Sequence, residues 1–216
     1  MSKVSRIQID NSIIIDDDIT HNAFGLYVLL KGLSYIKDDS RIVSCNIGKI
    51  KDIAGWKDNR TLRSHFGKLE QLKLITKAPK EYRVNSIVKV KFTDRVQAIG
   101  FTQVDRDTVC SIIELTKSIQ SGKRCINMFG MALRLFYYYE KNYNQSYAKA
   151  FPSYEAIRRD TGISYNNIKQ LNDYFDKNRI VIVSQGAFVD KENQFGEKSK
   201  SRQSNTYIPI CNRRIV

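Results

Sequence analysis

The chain of 216 residues has little of what most site chemistries require. Its two histidines, His21 and His65, lie far apart, and Cys45, Cys110, Cys125 and Cys211 form no C-x-x-C pair. A disulfide framework and a zinc site are not expected, no metal is assigned, and the cysteines read as buried free thiols. No apolar run approaches the ~18 residues that a membrane span needs, and Met1-Ser2-Lys3-Val4-Ser5-Arg6 lacks the apolar stretch of a signal peptide. A soluble cytoplasmic chain with no membrane partner is the expectation. With neither a P-loop nor a paired G-x-G-x-x-G, no cofactor is expected. Proline (3) and glycine (11) are also scarce, while 42% of the residues are hydrophobic and 27% charged, which describes a folded chain rather than a disordered basic tail.

Acidic residues are in short supply too: 36 Lys+Arg face 22 Asp+Glu, a net charge of +14. An acidic partner is implied. Residues 1–56 balance at seven basic and seven acidic, whereas residues 57–91 hold ten basic and three acidic. Half of the excess therefore falls within 35 residues, the localised footprint of a surface that meets phosphate. Residues 92–122 are nearly neutral, and residues 123–216 carry sixteen basic and eight acidic side chains.

Ile7, Ile9 and Ile13 to Ile15 suggest an extended arm closed by Asp16-Asp17-Asp18. Thr20 can cap a helix with Ala23, Leu26, Tyr27, Leu30 and Leu33 at helical spacing. After Ser44 a short helix buries Ile47, Ile50, Ile53 and Ala54 and stops at Gly55-Trp56. From Asp58 or Asn59 a third helix follows with Leu62, Phe66, Leu69 and Leu72 inward, so that Arg60, Arg63, Ser64, Lys68 and Gln71 project outward. Residues 74–76 and 82–92 read as a β-hairpin turning at Ala78-Pro79-Lys80. Helix, short helix, turn, helix and basic hairpin is the order of a winged helix-turn-helix, whose third helix enters the major groove.

The C-terminal part repeats the order with other letters. Met128, Met131, Ala132, Leu135, Phe136 and Tyr139 mark a first helix, Ser153 caps a short one, Gly162 supplies the turn, and Ser164 caps a third with Ile168, Leu171, Tyr174 and Phe175 inward. Tyr165, Asn166, Asn167, Lys169, Gln170 and Asp173 face out. Ile180 to Val183 begins a strand, Gly186 to Asn205 reads as a long polar loop, and Thr206 to Ile210 returns. Between the two parts, residues 101–121 carry enough Val, Ile and Leu for a docking helix, with Gly100 and Ser121-Gly122 as hinges.

Phe151-Pro152-Ser153, Thr161-Gly162-Ile163-Ser164, the Ile180-Val181 strand and Ser204-Asn205-Thr206-Tyr207 together resemble the winged-helix domains of replication initiators and regulators of plasmids, phages and integrative elements. The first copy is similar in layout but has Gly55-Trp56-Lys57-Asp58 at its turn and no Phe-Pro-Ser start. The resemblance implies an α+β chain of two winged helix-turn-helix domains, residues 1–92 and 123–216, joined by a helical connector, residues 93–122. It also implies double-stranded DNA as partner and a bacterial cytoplasm, on the nucleoid or a plasmid, as the setting. The function expected is sequence-specific DNA binding by a replication initiator. A transcriptional regulator, or an adaptor whose second domain binds protein, is the alternative, and self-association or replication and transcription proteins are further expected partners.

The candidate DNA-binding residues are Lys57, Asn59, Arg60, Arg63, Ser64, Lys68, Lys77, Lys80 and Arg83 in the first half. In the second they are Tyr165, Asn166, Asn167, Lys169, Gln170, Lys198, Lys200 and Arg202. Arginine forks suit guanine, asparagine and glutamine suit adenine, and lysines supply phosphate contacts without sequence preference. Tyr137-Tyr138-Tyr139 invites a nucleophilic reading, but the metal-binding histidines or converging Arg and His of such enzymes are missing, so the three tyrosines read as core and rim and no enzyme is expected.

Overall fold

A computed structural model describes residues 6–33, 42–93, 100–120, 128–186, 188–192, 198–202 and 205–210. In chain order the elements are β1 (Arg6–Asp10), α1 (Asn11–Ile14), α2 (His21–Leu33), β2 (Ile42–Asn46), α3 (Ile47–Ala54), α4 (Asn59–Gln71), β3 (Ile87–Lys91), β4 (Phe101–Asp105) and α5 (Arg106–Gln120). There follow α6 (Met128–Lys141), β5 (Tyr143–Asn144), β6 (Lys149–Ala150), α7 (Tyr154–Thr161), α8 (Tyr165–Lys177), β7 (Val181–Ser184), β8 (Phe188–Glu192), β9 (Lys198–Arg202) and β10 (Thr206–Pro209). The class is α+β, with small antiparallel sheets. Among the described residues no helix is long and apolar enough to cross a membrane.

Two helices buried on every side for most of their length lie at the centre. Every residue of α2 from Ala23 to Leu30 is buried, and so is every residue of α6 from Met128 to Tyr139. A helix buried on every side in this way belongs inside a core. The expected stripe of α2 was narrower than this, and its last member, Leu33, is 36% exposed. Phe24, Val28 and Leu29 join the core because α4 and α6 both pack on α2. Glycine makes the α2–α6 contact close: a Cβ on Gly130 would fall on the His21 carbonyl, and one on Gly25 would sit 2.6 Å from the Phe129 ring. One hydrophobic cluster runs through both halves.

Arg134 ties the chain start to α6. Its guanidinium is buried and donates to the carbonyls of Ile14 (2.8 Å), Ile19 (2.9 Å) and Asp16 (2.7 Å). Burial pulls its pKa down to about 10, while the carboxylates of Asp17 and Asp16 push the other way. The acidic run therefore acts as counter-charge to a buried cation as well as ending the arm. Ile13 and Ile14 belong to no strand: Asp10 Oδ1 accepts from Ser12 N at 2.8 Å and starts α1, which turns both isoleucines into the core.

In the first half Asn46, the last residue of β2, caps α3, its Oδ1 accepting from Lys49 N at 3.0 Å. Gly55, at φ 69°, ends α3, and Asp58 caps α4 with its carboxylate on Thr61 N at 2.6 Å. The hairpin expected over 74–92 is corrected in part: its ends do pair antiparallel, Thr76 N donating to Lys91 O at 2.9 Å and Thr93 N to Leu74 O at 3.2 Å. Ile75 meets Phe92 in a single bridge, and the ladder runs between β3 and β2, pairing Val43 with Val90 and Cys45 with Val88. Between these ends Tyr82 packs on Phe66 of α4, and residues 84–86 are tied to the start of α3, because Ile47 N and Gly48 N, free at its first turn, donate to Ser86 O (3.0 Å) and Val84 O (2.9 Å).

In the second half Ser153 and Ser164 cap α7 and α8, and Gly162 takes φ 70°, as expected. The sheet order is β5-β6-β10-β7, with Tyr207 opposite Val183 and Ala150. The expected irregular loop of residues 186–205 is corrected in part, since β8 and β9 form an antiparallel ribbon there. Both halves share a turn: α3 and α7 have 8 residues each, and α4 and α8 have 13 each. Each long helix closes the same way, on left-handed Lys73 (φ 55°) or Arg179 (φ 53°), with Leu74 N donating to Leu69 O and Ile180 N to Phe175 O.

The connector is not purely helical. β4 pairs along β1, with Ile7 opposite Val104 and Ile9 opposite Thr102, before α5 packs on α6 and α3. Gly100 has φ 86° and accepts from Asn11 N at 3.0 Å, so it is tied rather than a free hinge. Ser121 and Gly122 lie outside the described residues. Of the cysteines, Cys45 is buried and Cys110 exposed, while Cys125 and Cys211 lie outside the described residues.

Candidate nucleic-acid interface

Helix α4 exposes one face because Leu62, Phe66 and Leu69, spaced by four and three, take the other side into the core. Asn59, Arg60, Arg63, Ser64, Gly67 and Gln71 are exposed, and Lys68 is half-buried at the flank. Lys57 is exposed in the preceding turn, and Lys77, Lys80 and Arg83 are exposed on the segment that leads to the tie at the start of α3. Arg60 and Arg63 differ in freedom. The Arg63 guanidinium lies 5.2 Å from the centre of the Tyr82 ring, which holds the fork in place, whereas Arg60 sits in the first turn of the helix. Tyr82 is buried, and burial pushes its phenol to about 12. Asn59 is engaged, accepting from Lys51 Nζ at 3.0 Å.

On α8 the inward set is Ile168, Leu171, Asn172 and Phe175. Tyr174, expected inward, is only partly buried, and Asn172 takes its place by accepting from Tyr139 Oη at 2.7 Å. Tyr165, Asn166, Lys169, Gln170 and Asp173 are exposed. Asn167 is half-buried, its Nδ2 3.4 Å from Met131 Sδ, so it faces α6 rather than open solvent. Arg158 of α7 stacks on Tyr165 at 5.3 Å, a cation the sequence analysis passed over. Its signal was there: a short helix capped by Ser153 places Arg158 and Arg159 on its outer side.

Lys198, Lys200 and Arg202 occupy alternate positions of β9, opposite Glu192, Asp190 and Phe188 of β8. The tyrosine triplet is entirely core, without a rim member. Tyr137, Tyr138 and Tyr139 donate to Ile7 O (3.1 Å), Asp160 Oδ2 (2.6 Å) and Asn172 Oδ1 (2.7 Å), and burial raises all three phenols above the usual range.

A cleft of about 770 Å³ opens where the start of α2, the flank of α4 and Met131 of α6 meet. His21, Asn22, Ser64, His65, Lys68 and Gln71 line it. The two histidines that stand far apart in the sequence thus line one cleft, His21 from α2 and His65 from α4. Burial, with the Arg134 guanidinium nearby, pulls His21 down to about 4, and burial lowers His65 as well. His65 also rests against Trp56, ring centres 4.8 Å apart. His21 Nδ1, Asn22 Oδ1 and His65 Nε2 are buried and have no protein partner. Among the described residues no group of three His, Cys, Asp or Glu is placed to hold a metal. Compared with protein-family models the chain matches none, and a search of curated proteins finds no match either.

Proposed function

We propose that the chain is a sequence-specific binder of double-stranded DNA, built from two winged helix-turn-helix units with α4 and α8 as their reading helices. The observation that supports it best is the outer face of α4. It exposes Arg60, Arg63 and Ser64 in its first half, beside exposed Lys57, Lys77, Lys80 and Arg83, within the stretch that holds ten basic and three acidic residues. Arginines near the N-terminal end of a helix suit bidentate contact with guanine O6 and N7, and surrounding lysines suit phosphate. α8, preceded by the same short helix and capped turn, presents Asn166 and Gln170 for adenine and Lys169 for phosphate.

By this reading the protein acts through positioning, without a catalytic step. Lysines fix register on the backbone, Arg60 and Arg63 read one site, and α8 with the β8–β9 ribbon reads or holds the adjoining one. The resemblance of the second half to domains of mobile-element replication proteins makes an initiator at an origin the first choice of biology. Binding-site selection at near-physiological salt, followed by a footprint on DNA of the protein's own genetic element, is the test. Direct repeats beside an AT-rich stretch are the expected result. A single inverted repeat over a promoter identifies a regulator instead, and retention no better than random duplex overturns the reading.

A further inference from the structure

The cleft between α2 and α4 is unusual in what it presents. It holds one ammonium, two imidazoles, two carboxamides and the hydroxyls of Thr20 and Ser64, and none of its lining residues is a carboxylate. Three of its polar atoms, on His21, Asn22 and His65, are buried without a protein partner, an arrangement that costs stability unless something else meets them. Its mouth is continuous with the reading face, since Ser64, Lys68 and Gln71 belong to both. On the far side Met131 carries the contact to Asn167 at the start of α8. At about 770 Å³ it has room for a phosphodiester and its flanking sugars.

We infer that this cleft is the seat of one backbone phosphate of the bound duplex, held by Ser64, His65 and Lys68 of α4 and bordered by His21 of α2. The inference rests on the DNA-binding reading and deepens it by naming the contact that fixes how deep α4 enters the groove. The chemistry favours an anion: Lys68 supplies the charge, Ser64 a hydroxyl donor, and His65 a ring nitrogen, Nε2, that can carry a proton toward an acceptor, while His21, bonded to the Gly162 backbone, borders the seat. Asn22 can turn its amide so that Nδ2 faces the same point. A free phosphate would meet the same groups, but only a duplex lying on α4 brings its phosphate there together with the bases that Arg60 and Arg63 would contact.

The two histidines make the test direct. As the chain has no others, the ring Cε1–H region of its NMR spectrum holds two signals, both from the cleft. Titrating the full-length protein with its selected duplex is expected to move both signals in step with binding measured by anisotropy, while millimolar inorganic phosphate moves neither. Retained duplex binding with both signals unmoved overturns the cleft and leaves the DNA reading intact. Loss of duplex binding altogether removes both. Signals that respond to inorganic phosphate but not to duplex assign the cleft to a free anion and overturn the inference.

A second arm removes charge from each side. Lys68→Gln is expected to lower the steepness of the salt dependence by about 0.9, the contribution of one neutralised phosphate. A duplex with a methylphosphonate at the matching position is expected to bind the wild type more weakly and the variant no more weakly than its charged counterpart. An unchanged salt slope, or additive losses from the two changes, sinks the assignment.

Discussion

The two long helices are built on one backbone plan and carry different surfaces. Both have 13 residues, both start at a capping side chain, and both close on a left-handed residue followed by a bond back to a buried position. Superposed in register, Arg60 falls on Asn166, Arg63 on Lys169 and Ser64 on Gln170. The first helix places charge on its outer face and beside it, on a segment that leads to the start of α3. The second keeps amides on its face and places its basic row on a ribbon that also carries acidic positions. The lesson is that backbone geometry repeats where local capping dictates it, while the outer residues are free to differ in charge and hydrogen-bonding character.

The largest test of this comparison is whether the halves stand apart at all. Gly130→Val would drive a side chain into the His21 backbone, which cannot yield as a flexible side chain would. A loss of at least about 3 kcal/mol is expected, with both halves losing structure in one transition. Two separate denaturation transitions would mean that the halves fold independently. Next in size is Arg134→Met, which leaves three carbonyl acceptors without their donor and removes the charge that balances Asp16 and Asp17. A cost of about 3 kcal/mol is expected from the denaturation midpoint, and a change under 1 kcal/mol would show that solvent replaces the guanidinium freely.

The parts that were legible in the sequence are those fixed within a few residues. Ser153, Ser164, Asp58, Gly55 and Gly162 announce the helix ends because capping and positive φ are local requirements. β2 escaped notice since its five residues acquire meaning only from β3, which is more than forty positions later. The hairpin reading of 74–92 held only at its base, where Ile75 bridges Phe92, for the same reason: alternation marks a strand without naming all its partners. Neither the Gly25–Gly130 crossing nor the Arg134 clamp could be read, as a glycine in a helix and an arginine in an apolar run look like weaknesses until the opposing element is known. The cleft was hidden because two histidines 44 positions apart (65 − 21) suggest no pairing.

Acid probes one face of the comparison that base contacts do not. His21 has its pKa lowered from 6.5 to about 4, so the unfolded chain takes up its proton first. Stability is unaffected above pH 6.5 and falls as pH drops from 6.5 toward 4, by up to about 3 kcal/mol from this group, and His65 acts in the same direction. His21→Gln is expected to flatten the decline in that window, and an equally steep decline would place its cause elsewhere. At the reading faces, Arg63→Ala is expected to weaken a selected site by about 1–3 kcal/mol and relax its sequence preference. Lys169→Ala should weaken selected and random duplexes by similar, smaller amounts. Equal behaviour of the two variants would erase the proposed division between the helices.

The smallest expected effect tests the shared plan itself. Lys73 and Arg179 adopt a left-handed backbone that costs an L-residue with a Cβ roughly 1–2 kcal/mol, and both are exposed, so neither side chain is needed to fill a core. Glycine removes that strain but gains freedom in the unfolded chain, which offsets part of the benefit. Lys73→Gly and Arg179→Gly are therefore each expected to raise stability by about 0.5–1 kcal/mol, with the same sign and nearly the same size. If one variant stabilises and the other destabilises, the helix ends are not equivalent despite their matching bonds. If the two agree, the repeat is a repeat of backbone physics, and the difference between the halves resides in the residues those helices display.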